Sequence, residues 1–331
     1  MSLIQSLAIM LGREPTKPRP EEFTPEAQAL HESKRASKLT PEERAEINRQ
    51  THEAHKVHTW RNRRWLTLLV VNLLFVVSYH FDVQLVEGAL TASRVIGFHF
   101  ADLNSALQVT LAFKTILINL VIGTSTVLFM WWLLGGRSFC SWVCPYHLLA
   151  ELAEMLHLKL AAKKLVKDHQ LHRRTRVVLY VIFAISALAS GYTVFETISP
   201  TGIVSRAMIY GPSLALTIVV FLLVLEVFYS RRLWCRYMCP IGITYAVVGA
   251  VSPLRVAYTP EDCHHEGECR KVCLVPHVLD VTKKGFATRM HQGIGADCTR
   301  CGLCVDVCPT GSLKFEVKGL DKLLEGRAPA R

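Results

Sequence analysis

Three features of the 331-residue sequence predict an all-α polytopic membrane domain followed by a small cysteine-rich α+β domain. Half of the residues are apolar although 20% are charged, so the two kinds must be segregated along the chain. Four apolar stretches approach the length needed to cross a bilayer, about 20 residues. The eleven cysteines fall into two groups, one beside the apolar stretches and one near the C-terminus. This composition excludes a disordered chain, and about one cysteine per thirty residues is too sparse for a disulfide scaffold.

The predicted transmembrane helices are Trp65 to Phe81, Leu107 to Leu134, Val177 to Phe195 and Ser213 to Tyr229. The first is about 25 Å long at 1.5 Å per residue, with Arg61, Arg63, Arg64, Trp60 and Trp65 as interface anchors. Lys and Arg number 12 in residues 1–64, one in 82–106, eight in 135–176, one in 196–212 and 15 in 230–331. Cytoplasmic loops carry the basic excess, so the alternation predicts a multi-pass protein of the bacterial inner (cytoplasmic) membrane with both termini cytoplasmic. The formal charge of +11 is then accounted for by topology and membrane lipid, without nucleic-acid binding. The expected domains are a partly disordered cytoplasmic arm over 1–59, a four-helix transmembrane domain over 60–255, a cluster-binding domain over 256–316 and a tail over 317–331.

Leu3 to Leu11 lacks the basic flank and cleavage site of a signal peptide and is read as a short surface or partner-binding helix. His52, His55 and His58 recur every three residues, but no cysteine or carboxylate completes a metal set, so a solvated face is expected.

The C-terminal group contains Cys298-x2-Cys301-x2-Cys304-x3-Cys308-Pro309, the ligand run of a bacterial-type dicluster ferredoxin domain. In such a run three thiolates bind one cubane and the fourth cysteine reaches the other. The same spacing laid over residues 263–273 finds Cys263, Cys269 and Cys273, with Glu266 where the second cysteine belongs. Crossed ligation assigns Cys263, Cys269 and Cys308 to cluster A, and Cys298, Cys301, Cys304 and Cys273 to cluster B. Cluster B is expected to be an all-cysteine [4Fe–4S]. Cluster A is either [4Fe–4S] with Glu266, His264 or His265 at its fourth corner, or [3Fe–4S] with that corner empty.

The other four cysteines form two near-copies, Arg137-Ser138-Phe139-Cys140-Ser141-Trp142-Val143-Cys144-Pro145 and Arg232-Leu233-Trp234-Cys235-Arg236-Tyr237-Met238-Cys239-Pro240. They suggest pseudo-duplicated two-helix units, with Cys140, Cys144, Cys235 and Cys239 converging on a redox or metal site. Within each copy the i, i+4 spacing puts both thiols on one helical face, too far apart for an unstrained disulfide. Proline favours the first position of a helix, which would leave Cys144 and Cys239 at helix N-termini, where N–H groups lower a thiol pKa. The helix after Pro145 would bury Leu148, Leu149, Leu152, Met155 and Leu156 in the inner leaflet, with Glu151 and Glu154 elsewhere. Near membrane depth, His80, Asp82, Lys114, Glu196 and Glu226 are the ionisable candidates, and Glu226 reads best as an ion-pair partner of Arg231 and Arg232.

With four spans, two CysxxxCysPro motifs and a dicluster ferredoxin run, residues 60–315 resemble the NapH/MauN family of membrane ferredoxins. The resemblance includes the Pro276-His277-Val278-Leu279 segment. It implies a quinol dehydrogenase subunit, an electron-transfer component rather than a complete enzyme, drawing on the quinone pool and serving another ferredoxin-type or cytochrome subunit. The alternative from a different class is an assembly factor that binds or reduces a metal ion at the CysxxxCysPro thiols for a partner enzyme.

Overall fold

The computed structural model describes residues 3–36, 40–54, 56–81, 86–95, 97–319 of the chain. His55, Asp82 and most of the expected 317–331 tail lie outside the described residues. Helices α1 (Leu3–Met10), α2 (Pro25–Ala36) and α3 (Pro41–Ala54) precede α4 (Thr59–His80). The next segment is an antiparallel sheet that the sequence analysis did not anticipate, β1 (Val86–Ala89), β2 (Ala92–Val95) and β3 (Phe98–Ala101), paired in that order.

The helical body continues as α5 (Leu103–Phe113), α6 (Ile118–Leu134), α7 (Ser138–Trp142), α8 (Pro145–Ala162), α9 (Arg174–Ser190), α10 (Val194–Ile198), α11 (Pro200–Tyr210), α12 (Leu216–Phe228) and α13 (Ile241–Ala250). The C-terminal part holds β4 (Leu254–Tyr258), the short α14 (Glu268–Val272), β5 (Gln292–Gly293), α15 (Leu303–Asp306) and β6 (Leu313–Val317). Strand β4 is central, antiparallel to β5 on one side and to β6 on the other, so the first and last strands of this part close around the intervening cysteines.

The expectation of four transmembrane helices is overturned: among the described residues no helix is long and apolar enough to cross a membrane. The multi-pass inner-membrane localisation and the loop topology drawn from charge counts fall with it. The physical reasons differ from stretch to stretch. Residues 107–134 do not form one helix, because Lys114 turns into the left-handed region at φ 54° and divides α5 from α6. Helix α9 stops at Gly191, φ 66°, after 17 residues, and α12 has 13 residues, about 20 Å against a hydrocarbon core of about 30 Å. Helix α4 has 22 residues, but its first turns carry Arg61, Arg63 and Arg64 and its buried face carries Asn72 and Ser78. The observed fold is a helical body with two small three-stranded sheets, the second belonging to the cysteine-rich part.

Helix α8 also reverses its expected orientation. Leu152, Leu156 and Leu158 are exposed, whereas Glu151 and Glu154 are buried. The reason is a buried charge network: Arg64 from α4 donates to both oxygens of Glu151 at 2.7 and 2.6 Å, and Arg232 pairs with Glu154. Between the two arginines lies His147, which burial, Arg232 and Arg64 together keep well below its ordinary pKa and therefore neutral. A charged side chain goes inside when its partner goes with it.

Two further interactions join the N-terminal helices to the cysteine-rich part. Asp306 accepts from the N–H groups of Trp60 and Arg61 at 3.0 to 3.2 Å, capping α4 from more than 240 residues away. Trp60 sits where a side chain at residue 302 would go, its Cβ 2.5 Å and its ring Cγ 2.7 Å from that Cβ position, so Gly302, at φ 80°, admits no larger residue. Helix α1 packs Met10 against Ile243 and Ala246 of α13, so this predicted partner-binding helix finds a partner surface inside its own chain.

Candidate redox centre

Each CysxxxCysPro motif makes the same local irregularity. Cys144 N–H donates to Phe139 O at 3.2 Å and Cys239 N–H donates to Trp234 O at 2.8 Å, one residue beyond the α-helical partner in both copies. Residues Trp234–Met238 form a π-helical turn, a widening common at functional sites. The helices therefore do not run on through the motifs. Pro145 opens α8 with Cys144 just outside it, as the proline rule predicts, whereas Pro240 stands one place earlier, at the N-cap of α13.

Cys140, Cys144, Cys235 and Cys239 line one narrow cavity of about 30 Å³, together with Arg137 and Trp234. Cys144 Sγ is 3.2 Å from Thr201 Oγ1. Burial pushes the Cys144 thiol up to about 11, although Thr201 and the N–H groups of His147 and Tyr146 pull the other way. Burial likewise raises Cys239, against the N–H of Gly242. The expected lowering at a helix N-terminus is thus present as a contribution and is outweighed by desolvation. Among the described residues no three His, Cys, Asp or Glu side chains are close enough to share one metal ion. That observation bears on a mononuclear site; in a cubane each thiolate binds a different iron, so the donors stand farther apart.

The remaining seven cysteines surround a single apolar core. Cys273, Cys298, Cys301 and Cys304 are buried in it with Val256, Tyr258, Leu274, Leu279 and Leu313, while Cys263, Cys269 and Cys308 pack against it half-buried. Cys273 and Cys304 are pushed well above the ordinary thiol range, first by burial and then by neighbouring thiols, Cys301 and Cys298 for Cys273, and Cys273, Cys301, Cys298 and Cys269 for Cys304. Cys269 is raised by burial and by Cys263 and Cys308. Thiols crowded in low dielectric, where burial outweighs the pull of Arg236, Arg270 and Arg300, are a donor set suited to an iron–sulfur core, whose irons hold the thiolate form.

Of the candidates at the missing position, His264 is exposed. His265 is half-buried, its Nδ1 3.8 Å from Cys263 Sγ and 2.9 Å from Thr282 O. Glu266 takes a hydrogen bond from the Thr51 hydroxyl of α3 and lines a cleft of about 470 Å³ with Arg236, Arg270, Lys271 and His277.

Sequence reasoning missed the side chains that join the two groups. Arg137 donates to Asp297 Oδ1 at 2.5 Å and to Asp297 O at 2.7 Å, one residue before Cys298. Arg176 and His277 both reach the same carboxylate at 2.9 Å. Burial alone would raise Asp297, but Arg137 and Arg176 hold it well below the usual carboxylate range. Ser141 Oγ donates to Thr299 O at 2.7 Å, Trp142 Nε1 to Arg300 O at 3.0 Å, and Arg236 Nε to Leu274 O at 2.9 Å. The one available signal was the occurrence of Arg137, Ser141 and Arg236 inside the repeated motifs.

The ionisable candidates do not form one site. His80 bonds the Val76 carbonyl, 3.1 Å away, and is exposed; Lys114 terminates α5; Glu196 takes a 2.5 Å bond from Ser105 Oγ. Glu226 is fully buried and accepts from Trp234 N–H at 3.1 Å, whereas Arg232 pairs with Glu154 and Arg231 with Asp168.

Two family models, each described as a 4Fe-4S binding domain, match the chain, one over residues 116–164 and 212–256 and the other over 296–314. The first covers both CysxxxCysPro motifs and the second covers the Cys298–Cys308 run. The chain is 29% identical over 266 residues to the methylamine utilization ferredoxin-type protein MauN of Methylorubrum extorquens, covering 80% of this chain and 91% of that protein. It is 30% identical over 249 residues to MauN of Paracoccus denitrificans, covering 75% and 86%. The ferredoxin-type protein NapH of Escherichia coli is 28% identical over 258 residues, covering 75% and 88%. No solved structure matches the chain. Seven cysteines packed on one core, the paired motifs beside them and likeness over most of both chains lead to one conclusion: the chain belongs to the NapH/MauN family of ferredoxin-type, 4Fe-4S proteins.

Proposed function

We propose that this chain is an electron relay in which cluster A and cluster B pass electrons between a quinol donor and a redox partner of ferredoxin or cytochrome type. Cys263, Cys269 and Cys308 would hold cluster A with one non-thiolate donor. Cys273, Cys298, Cys301 and Cys304 would hold cluster B as an all-cysteine [4Fe–4S]. When bound, the clusters supply one-electron redox chemistry; the protein supplies thiolate donors, a dry core and fixed spacing.

The observation that carries this reading is the wall shared by the two groups of thiols. The cavity lined by Cys140, Cys144, Cys235 and Cys239 is also lined by Leu274, Val275 and Thr299, which adjoin Cys273 and Cys298. The four motif thiols thus stand directly against the segments that would hold cluster B, which supports a continuous path rather than two unrelated sites. We assign these thiols as a third redox-active group in that path. The assembly-factor reading asks them to share a single ion, and no three donors among the described residues lie close enough to do so.

The test is reduction of the purified, cluster-loaded protein by a water-soluble quinol. Bleaching of the visible cluster absorbance, abolished in a Cys140→Ser/Cys235→Ser variant that dithionite still bleaches, is the expected outcome. Bleaching by dithionite alone in the wild type would overturn the quinol assignment.

A further inference from the structure

The two-cluster reading leaves cluster A one donor short, and the sequence names three candidates for the place. The surroundings of the three separate them. His264 is exposed to solvent. Glu266 is drawn to Thr51 of α3 and forms part of the wall of the arginine-lined cleft, with Arg236, Arg270 and His277 around it.

His265 is held among the cluster A residues themselves. Its Nδ1 lies 2.9 Å from the Thr282 carbonyl and 3.8 Å from Cys263 Sγ. Thr282 in turn brings its hydroxyl to 3.7 Å from Cys269 Sγ, so one residue meets the imidazole through its carbonyl and a second cluster A thiol through its side chain. A carbonyl accepts and cannot donate, so Nδ1 carries the proton and Nε2 carries the free lone pair. That Nε2 is buried and, among the described residues, has no hydrogen-bond partner; Glu266 Oε1 is buried and bare as well, but its other oxygen is held by Thr51. The residue also sits at φ 61°, a left-handed conformation that non-glycine residues seldom adopt and that local structure must enforce. A carbonyl-fixed tautomer with the opposite nitrogen buried and bare is the usual arrangement of a metal-binding histidine.

We infer that His265, through Nε2, is the fourth donor of cluster A, and that Glu266 is not; the inference rests on the two-cluster reading. Imidazole in place of thiolate makes that corner neutral. Replacing two thiolates by two imidazoles on one iron raises the potential of Rieske centres, and the same sign is expected here. Cluster A is then the higher-potential of the two and the natural end of the electron path.

Pulsed EPR on the reduced, cluster-loaded full chain tests this. Protein grown with ¹⁵N-histidine should show a nitrogen hyperfine coupling of ligand strength on one of its two paramagnets, changed from the ¹⁴N pattern. His265→Ala should lose that coupling and give a [3Fe–4S] signal on oxidation, His265→Cys should restore a four-iron cluster without it, and Glu266→Gln should keep it. The labelled wild type needs no variant to fold. Two paramagnets with no nitrogen coupling, or a coupling that survives in His265→Ala, would overturn the histidine while leaving two clusters in place. A spectrum with a single paramagnet would overturn the two-cluster reading and the inference together.

Discussion

The two CysxxxCysPro motifs agree in backbone and disagree in the partners of their equivalent side chains. Each has the widened turn, the proline-started helix and a buried first arginine. Arg137, however, is spent on Asp297 of the cysteine-rich part, while Arg232 is spent on Glu154 of the helical body. The residue after the first cysteine shows the opposite behaviour. Ser141 and Arg236 differ in size and charge, yet each donates to a carbonyl adjoining a buried cysteine of the C-terminal set, Thr299 O beside Cys298 in sequence and Leu274 O beside Cys273. The repeat therefore supplies one scaffold whose two copies grip opposite sides of the same thiol set, one anchored forward and one anchored back.

The largest effects should separate the two arginines. Arg232 is 1% exposed, and its removal leaves Glu154 with the more distant Arg231, at 3.8 Å, and the charge of Arg236. Breaking such a buried pair costs about 3–5 kcal/mol. Asp297 keeps Arg176 and His277 at 2.9 Å when Arg137 is lost, so Arg137→Ala should cost about 2 kcal/mol, nearer the price of one charged hydrogen bond. Chemical denaturation of the two variants checks this; equal midpoints would show that the copies are anchored alike.

A second difference titrates. Trp234 N–H is accepted by the Glu226 carboxylate, whereas its counterpart Phe139 N–H goes to Gly136 O at 3.2 Å, which has no ionisable group. Burial raises Glu226 to about 7, against the opposing pull of Arg232 and Trp234. A carboxyl whose folded pKa lies above its unfolded value near 4.5 binds its proton more tightly when folded. Its effect on stability is therefore most favourable below about pH 4.5 and declines as pH rises to about 7, by about 3 kcal/mol in all. Glu226→Gln keeps the oxygen that Trp234 needs and should flatten the pH dependence over that window. A wild-type profile rising between pH 5 and 7 by the same amount as the variant's would refute the assignment.

The legible parts of this molecule were those whose chemistry is local in sequence. Cysteine spacing picked out the seven thiols that pack on one core, and Pro145 placed the start of α8 with Cys144 before it. Hydropathy misled because a window average does not register where the chain breaks: Lys114 and Gly191 end helices inside or beside apolar stretches. Charge misled for a related reason. Arg64, Glu151, Glu154 and Arg232 count as surface or loop residues until each is known to have a partner, and the pairs Arg64–Glu151, Arg232–Glu154 and Arg232–Glu151 each lie more than 70 residues apart in sequence. The Glu266 position was legible only as an irregularity, since the side chain that faces Cys263 is its neighbour.

The smallest effect is the most diagnostic of how the two motifs share their task. Ser141→Ala removes one neutral hydrogen bond to a buried carbonyl, about 1 kcal/mol, and Arg236→Ala removes one charge-assisted bond, about 1.5–3 kcal/mol. The two bonds have no atom in common and end on different segments, 299 and 274. In protein stripped of iron those segments share the apolar core and the indirect link through Arg137, which bonds Asp297 and Cys235 O but neither grip itself, so the two losses should add to within about 0.5 kcal/mol. In loaded protein, cluster B would tether Cys298 to Cys273 and make each grip a support for the other. The double-mutant cycle should then show a coupling of about 0.5–1 kcal/mol that the stripped protein lacks. Equal coupling with and without iron would mean that the motifs hold a preformed core, and that the cluster adds nothing to the way the two copies act together.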